Sequence, residues 1–444
     1  MLDASQPDRL YSAATSLFHL AFPHFHAARL KILAFRTSSS PGNRAPRFKR
    51  RVLARACLGV VLLAGPAAYG DELDTLQIGF RTWLTMDSNL FRQAAGSASP
   101  GIVEDRQTSS ELALSLSHSI GRQGLRLSTT LVEHKYDTNT YLNHTSKNYR
   151  AEWDWVLGSQ LHGVLLLERA EALSSFSSFA IGNLRNIQTV DTKQVLAELD
   201  VFGGWSVVGG LTETTLKNSA SNFTLDSDAL VLTPEIGLRY RFPSGTTITL
   251  SHRSSDGEYT SRQTPDLILL LDTGYKETEN SLAVNWPVSG KSTINARVAQ
   301  VERHYDNLSE RNYDGTRLQI DYALKATSKI TVNVAYRQDL VPYTDTRSSY
   351  YLARTLGVAP LWQITPKLAL RLNLSRERRD FRGAAPGGTL RPEETVTLRG
   401  LTMDWSPLDM IRLSASHQRE SRDSPNQAES FDANVSQISA NLRF

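Results

Sequence analysis

Seven histidines lie between residues 71 and 444, at His118, His134, His144, His162, His252, His304 and His417. Three directly follow a serine (Ser117-His118, Ser251-His252 and Ser416-His417), the residue types of a nucleophile and its general base. Neighbours in a strand point to opposite faces, so none of these dipeptides can form a dyad by adjacency. No pair of histidines has the spacing of a helical metal motif, and no G-x-S-x-G, phosphate-loop or G-x-G-x-x-G context is present. The one cysteine, Cys57, belongs to an N-terminal leader, which leaves the rest without thiolate ligands or disulfides. The expectation is a non-enzymatic protein with no metal and no cofactor.

Arginine carries more. Arg126, Arg239, Arg241, Arg297, Arg317, Arg337, Arg371, Arg399 and Arg412 sit in stretches where aliphatic and polar residues alternate. If the aliphatic rows face lipid, these guanidinium groups face a lumen, with Asp154, Glu235 and Asp321 interspersed. Arginine is the better fork for carboxylate or phosphate. Arg239, Arg241, Arg297, Arg317, Arg337, Arg371 and Arg412 are therefore expected to line a path for a hydrophilic solute. The plainer reading has the same arginines pairing with acids to brace a wall. Tyr136, Tyr141, Phe176, Phe179, Tyr350 and Tyr351, in or near long connections, could stack on sugar rings or simply pack their loops.

The elements that would position these residues are strands. Leu368, Leu370, Leu372 and Leu374 alternate with Ala369, Arg371, Asn373 and Ser375, and Ile330 to Arg337 and Arg317 to Leu324 alternate in the same way. Almost nothing shows the 3.6 period of a helix. Short connections after residues 120, 157, 202, 242, 286, 324, 362 and 405 recur about every 40 residues. Long polar connections lie between them. A propeller blade would put four strands into that length; here it holds two, each long enough to cross a membrane. The sequence predicts an all-β fold: a transmembrane antiparallel up-and-down β-barrel of 16–18 strands, from Leu73–Leu84 to Phe431–Phe444. Phe242, Trp286, Trp362 and Trp405, beside the short turns, would form an interfacial girdle. Ile438, Ala440, Leu442 and Phe444 share one face of the last strand, and Phe444 resembles the terminal signal read by the outer-membrane barrel-assembly machinery.

Composition narrows the function. The chain has 444 residues with 49 Lys+Arg, 45 Asp+Glu and a formal charge of +4. Ten of those cations but only two acids lie in residues 1–70, which leaves 39 basic residues against 43 acidic ones beyond. A nucleic-acid partner is therefore not expected, because the body has no basic excess to release counterions. Residues 47–70 read as a signal peptide: Arg47, Lys49, Arg50, Arg51 and Arg55, an apolar core, then Ala68-Tyr69-Gly70. Residues 1–46 form an N-terminal extension, disordered or a misassigned start, and residues 71–444 are one barrel domain bound for the bacterial outer membrane.

Asp74-Thr75-Leu76-Gln77-Ile78-Gly79 is followed by Asp87-Ser88-Asn89-Leu90-Phe91-Arg92. A first strand followed by D-S-N-L-F-R resembles the EpsL-type outer-membrane β-barrel proteins of exopolysaccharide biosynthesis operons. The resemblance implies a conduit or accessory in polysaccharide export, with secreted polysaccharide and periplasmic export components as partners besides outer-membrane lipid. It brings no catalytic residues. Read from the residues alone, Asp87 and Asn89 shape the turn that leaves the first strand. The alternatives are a general or solute-selective porin, a non-conducting barrel that binds polysaccharide at its surface, and a barrel enzyme with a rim cluster of His, Ser and acids.

Overall fold

The computed structural model describes residues 75–96, 102–176, 184–220, 228–262, 272–342, 348, 350–383 and 390–444. Residues 1–46 and 47–70, expected to be an extension and a signal peptide, and Phe179 lie outside these residues. The first strands are β1 (Leu76–Asp87), β2 (Asp105–Ile120), β3 (Gln123–Tyr136), β4 (His144–Leu157), β5 (Leu161–Leu173) and β6 (Ile187–Phe202). They are followed by β7 (Trp205–Asn218), β8 (Ala229–Arg241), β9 (Thr247–Glu258), β10 (Gly274–Ser289), β11 (Ser292–Tyr305) and β12 (Tyr313–Lys325). The chain ends with β13 (Ile330–Pro342), β14 (Tyr350–Thr365), β15 (Leu368–Arg382), β16 (Glu394–Leu408), β17 (Ile411–Asp423) and β18 (Phe431–Arg443).

Every strand pairs antiparallel with its neighbours in sequence, and β1 pairs with both β2 and β18, so the 18-stranded sheet closes on itself. The seam is sealed at its end by Phe444, whose N–H donates to Ile78 (2.8 Å) while Ile78 donates back (2.9 Å). Eight tight turns join eight strand pairs, and a first and a last strand complete the count at the upper limit of the expected 16–18. The first strand runs on to Asp87, past the expected end at Leu84, and its expected start at Leu73 lies outside the described residues.

The local chemistry of the turns explains the register. Gly203 and Gly204, between β6 and β7, both have positive φ (55° and 87°), the condition for a two-residue turn whose twist matches its strands. With 12 residues the shortest strands exceed the roughly 9–11 needed to cross a bilayer. Alternation then sorts the side chains. Ile236, Leu238 and Leu250 are exposed (63%, 50% and 58%) on the outer face, which only an apolar surrounding makes favourable. Phe242, Trp286, Trp362 and Trp405 are likewise exposed beside the tight turns. In lipid, a closed barrel satisfies its backbone polar groups without an edge. A closed, even-numbered antiparallel barrel with an apolar exterior, short turns at one end and longer loops at the other is the architecture of the bacterial outer membrane.

The wall is not uniform. The β12–β13 ladder runs only from Leu318–Gln338 to Lys325–Thr331. Toward the loop end these strands are closed instead by a cluster of Val301, Tyr313, Leu340 and Leu352.

Candidate functional site in the lumen

The lumen is lined by residues that alternate with the lipid-facing rows. On β10, Glu277 and Glu279 share the inward face with Tyr275 and Ser281, and both carboxylates are buried. Glu277 stands opposite Arg303 of β11, and the Arg303 guanidinium meets it at 2.6 Å. Arg317 of β12 stands opposite the small Ala299, which leaves room for it to reach past β11 to β10. Its Nη1 lies 2.8 Å from Glu277 and 2.9 Å from Glu279, and its Nε donates to Asp339 of β13 at 2.8 Å. Arg297 pairs with Glu279. Arg253 of β9 lies 3.5 Å from Glu279 and 3.0 Å from Glu235 of β8. Glu277 also accepts from the Tyr313 hydroxyl (3.1 Å), and Arg303 lies 3.8 Å over the Tyr275 ring. Acids and arginines thus cross six adjacent strands as one network.

A second cluster lies across β3, β4 and β5. Arg126 pairs with Glu152 and, at 2.5 Å, with Asp154; Arg150 reaches Glu152 at 2.5 Å and Glu168 at 2.8 Å. A third joins Arg239, and Arg241 at 3.7 Å, to Glu198.

Of the arginines expected along a solute path, Arg239, Arg241, Arg297, Arg317, Arg337 and Arg371 do face the lumen, and each lies within 4 Å of a carboxylate. Arg337 meets Asp321 at 3.0 Å and Arg371 meets Asp404 at 3.9 Å. Arg412 also shares the inward parity, opposite Asn441, and makes no ion pair among the described residues. The expected inward position of Arg399 is corrected. It stands opposite Leu374 and Arg419 on the outer face, in the same row as Leu401, Met403 and Trp405. The assumption that aliphatic rows always face lipid fails at this end of β16, where Val396 and Leu398 have the inward parity.

The D-S-N-L-F-R residues form a compact fold at the mouth of β1. Asp87 caps the turn by accepting from the Asn89 N–H (2.9 Å), and the Asn89 amide donates to Gln93 O (2.8 Å) and Asp432 O (3.0 Å). Ser88 Oγ accepts from the Asn434 N–H (2.8 Å). Phe91 is buried with Tyr136 and Leu142, with Leu90 and Phe176 packed against them, and its ring meets Phe176 edge-on at 4.9 Å. Arg92 adopts a left-handed backbone (φ 54°), a conformation held in a non-glycine residue only by its surroundings. Its guanidinium bonds Asp87 (2.8 Å) and Glu420 (3.0 Å). Burial opposes the charge of Arg92, but those two carboxylates outweigh it and raise its pKa.

This fold narrows the lumen. A cavity of about 1000 Å³ remains, bounded by Leu90, Arg92 and Phe176 on one side and by Arg297, Arg337 and Glu377 on the other. No group of three or more metal-ligating residues occurs among the described residues. His118, His252 and His417 stand in strands, and His252 and His417 take up Asn280 (2.8 Å) and Ser436 (3.0 Å) as partners. Residue-level reading missed Glu277, Glu279, Arg253, Arg303 and Glu420. For the two glutamates the signal is the row Tyr275-Glu277-Glu279-Ser281, opposite in parity to Leu282, Val284 and Trp286 of the same strand.

No family model matches this sequence, and no curated protein does. Among solved structures it is similar to the Pseudomonas aeruginosa outer membrane protein OpdK, at 15% identity over 83% of this chain and 99% of that one, with a TM-score of 0.45. It is similar to OccK5 (OpdH) of Pseudomonas aeruginosa at 14% identity over 84% and 100% of the two chains, TM-score 0.46. It is also similar to Acinetobacter baumannii OccAB3, at 10% identity over 83% and 98%, TM-score 0.46.

Proposed function

We propose that this protein is a solute-selective porin, a passive conduit for small hydrophilic molecules across the bacterial outer membrane. The observation that carries this reading is the cavity of about 1000 Å³ inside a closed 18-stranded barrel, bordered by both guanidinium and carboxylate groups. A barrel of this size leaves an aqueous interior unless segments fold into it. Here the Asp87–Arg92 fold occupies part of that interior and sets the width of what remains. Opposed charges across a narrow lumen create a transverse field that orders a polar or zwitterionic solute and excludes apolar ones. Arg337 and Arg371, each held by a single carboxylate, are the groups available to a passing anion.

Polysaccharide export, which the resemblance to EpsL-type proteins implies, rests on six residues. Asp87, Ser88, Asn89, Phe91 and Arg92 are engaged in the turn, its core and its ion pairs, so they support the fold of the constriction rather than contact with a polymer. Phe444, bonded to Ile78 at the seam, is the residue proposed to be read during assembly.

The test is steady-state conductance of the purified protein in planar bilayers, with swelling of vesicles in graded sugars and amino acids. Discrete, long-lived channels with a sharp size limit are expected. A barrel that folds and inserts but conducts nothing, from a strain whose extracellular polysaccharide falls on deletion of the gene, would replace this reading with export.

A further inference from the structure

The outer face of β14–β17 carries arginine opposite arginine, whereas the outer face of β5–β7 carries complementary pairs, Arg169 with Asp191 and Lys193 with Glu213. Toward the loop end, Arg354 of β14 stands directly opposite Arg378 of β15, and Arg399 of β16 directly opposite Arg419 of β17. Arg376 stands opposite Thr397, which places it diagonally beside Arg399, within roughly 8 Å between Cβ atoms. Like charges directly across a ladder are destabilising, and two such pairs lie side by side here. The acids nearby cover only part of the belt: Glu393 pairs with Arg378 (2.5 Å), Asp432 with Arg419 (3.0 Å) and Asp380 with Arg382 (2.7 Å). Arg376 and Arg399 are exposed and make no ion pair among the described residues, and Arg354 donates only to the Gln338 amide (3.2 Å).

Position supplies the second argument. The belt sits directly above exposed Leu356, Leu372 and Leu374, on the side of the long loops, which face the cell exterior in barrels of this kind. This is the height at which apolar lipid contact gives way to headgroups. The half-buried Thr395 and Thr397 and the exposed His417 share the same outward face.

We propose that the outer face of β14–β17 is a binding site for a phosphorylated glycolipid of the surrounding outer leaflet, with Arg354, Arg376 and Arg399 taking its phosphate groups. A phosphate between opposed guanidinium groups accepts charge-assisted, two-pronged hydrogen bonds and turns their mutual repulsion into a bridge. The lipid tails would then lie along Leu356, Leu372 and Leu374.

The experiment uses the full-length protein in detergent, titrated with bis-phosphorylated lipid A and with the same glycolipid after enzymatic dephosphorylation, bound lipid being counted by native mass spectrometry. Arg376→Gln/Arg399→Gln is compared with wild type, and heat-modifiable gel mobility confirms the closed barrel. Wild type should prefer the phosphorylated lipid, and the double variant should bind it roughly thirtyfold more weakly, the effect of two arginines on an anionic lipid surface. A second double variant on another part of the outer face, Lys193→Gln/Lys217→Gln, should retain binding. Equal wild-type affinity for the two lipids would overturn the proposal without recourse to any variant. So would undiminished binding by a folded Arg376→Gln/Arg399→Gln barrel.

Discussion

Arginine is used in opposite ways on the two sides of this wall. Inside, Arg253, Arg297, Arg303 and Arg317 share Glu235, Glu277, Glu279 and Asp339, so nearly every buried cation meets two carboxylates or a carboxylate and an aromatic ring. Outside, on β14–β17, arginines face arginines. The outer face of β5–β7 shows that this is not forced by the fold. There Arg169 meets Asp191 at 2.7 Å and Lys193 meets Glu213 at 2.7 Å, opposite sign against opposite sign across each ladder. Charges that the protein must satisfy by itself come in matched sets. Where the matching is missing, the membrane is available to supply the counter-charge.

The comparison breaks most easily at its inner half. Glu279→Gln would leave Arg253, Arg297 and Arg317 buried around a neutral amide, and loss of one partner from a buried ionic network costs roughly 3–5 kcal/mol. The urea midpoint of the barrel in vesicles should fall accordingly, and an unchanged midpoint would mean that water reaches the network and screens it. Phe91→Ala removes an aromatic side chain from the Tyr136–Leu142–Phe176 cluster, at a cost of about 3 kcal/mol or more. Because that cluster supports the constriction, single-channel conductance should rise and become noisier; a conductance equal to wild type would detach the Asp87–Arg92 fold from the pore. Arg412→Glu reverses a lumenal charge that makes no ion pair among the described residues, so stability should hardly change. The reversal potential in a salt gradient should move toward cation selectivity, whereas no movement would place Arg412 off the conducting path. At the outer face, Arg399→Ala relieves repulsion with Arg419 and should raise the thermal midpoint slightly in a neutral detergent, an advantage that phosphorylated lipid removes. The smallest effect is expected at Lys193→Ala, an exposed cation whose loss should fall within the scatter of the unfolding measurement.

Much of this architecture is legible in the sequence. The eight short turns follow from Gly, Pro and Ser after an aromatic or aliphatic residue, and two strands per turn plus the ends yield eighteen. The inward position of Arg239, Arg297, Arg317 and Arg371 follows from period 2 alone. Two things do not follow. Arg399 departs from the alternation because aliphatic residues are a guide to the lipid face only at bilayer depth; beyond it, Val396 and Leu398 turn inward and an arginine faces out. Glu277 and Glu279 do not stand out in the sequence because their strand reads as polar at its loop end, and the apolar anchor Leu282–Trp286 must be extended along it to fix the parity. The partner of each arginine was beyond reach for a further reason. Arg317 bonds acids on β10 and β13, and only the register of four strands brings them together.

The bond pair between Ile78 and Phe444 places the two ends of the sheet side by side, at the end of the barrel where the tight turns lie. The barrel is therefore close to a covalent ring that happens to be cut at one position. A short linker from Phe444 to Ile78, with new ends opened at Gly203-Gly204, should preserve every strand pair while changing which strand is made last. Such a permuted chain separates two properties that nature has tied together here: the closed sheet, which is indifferent to where it is cut, and the order in which its strands emerge and are recognised.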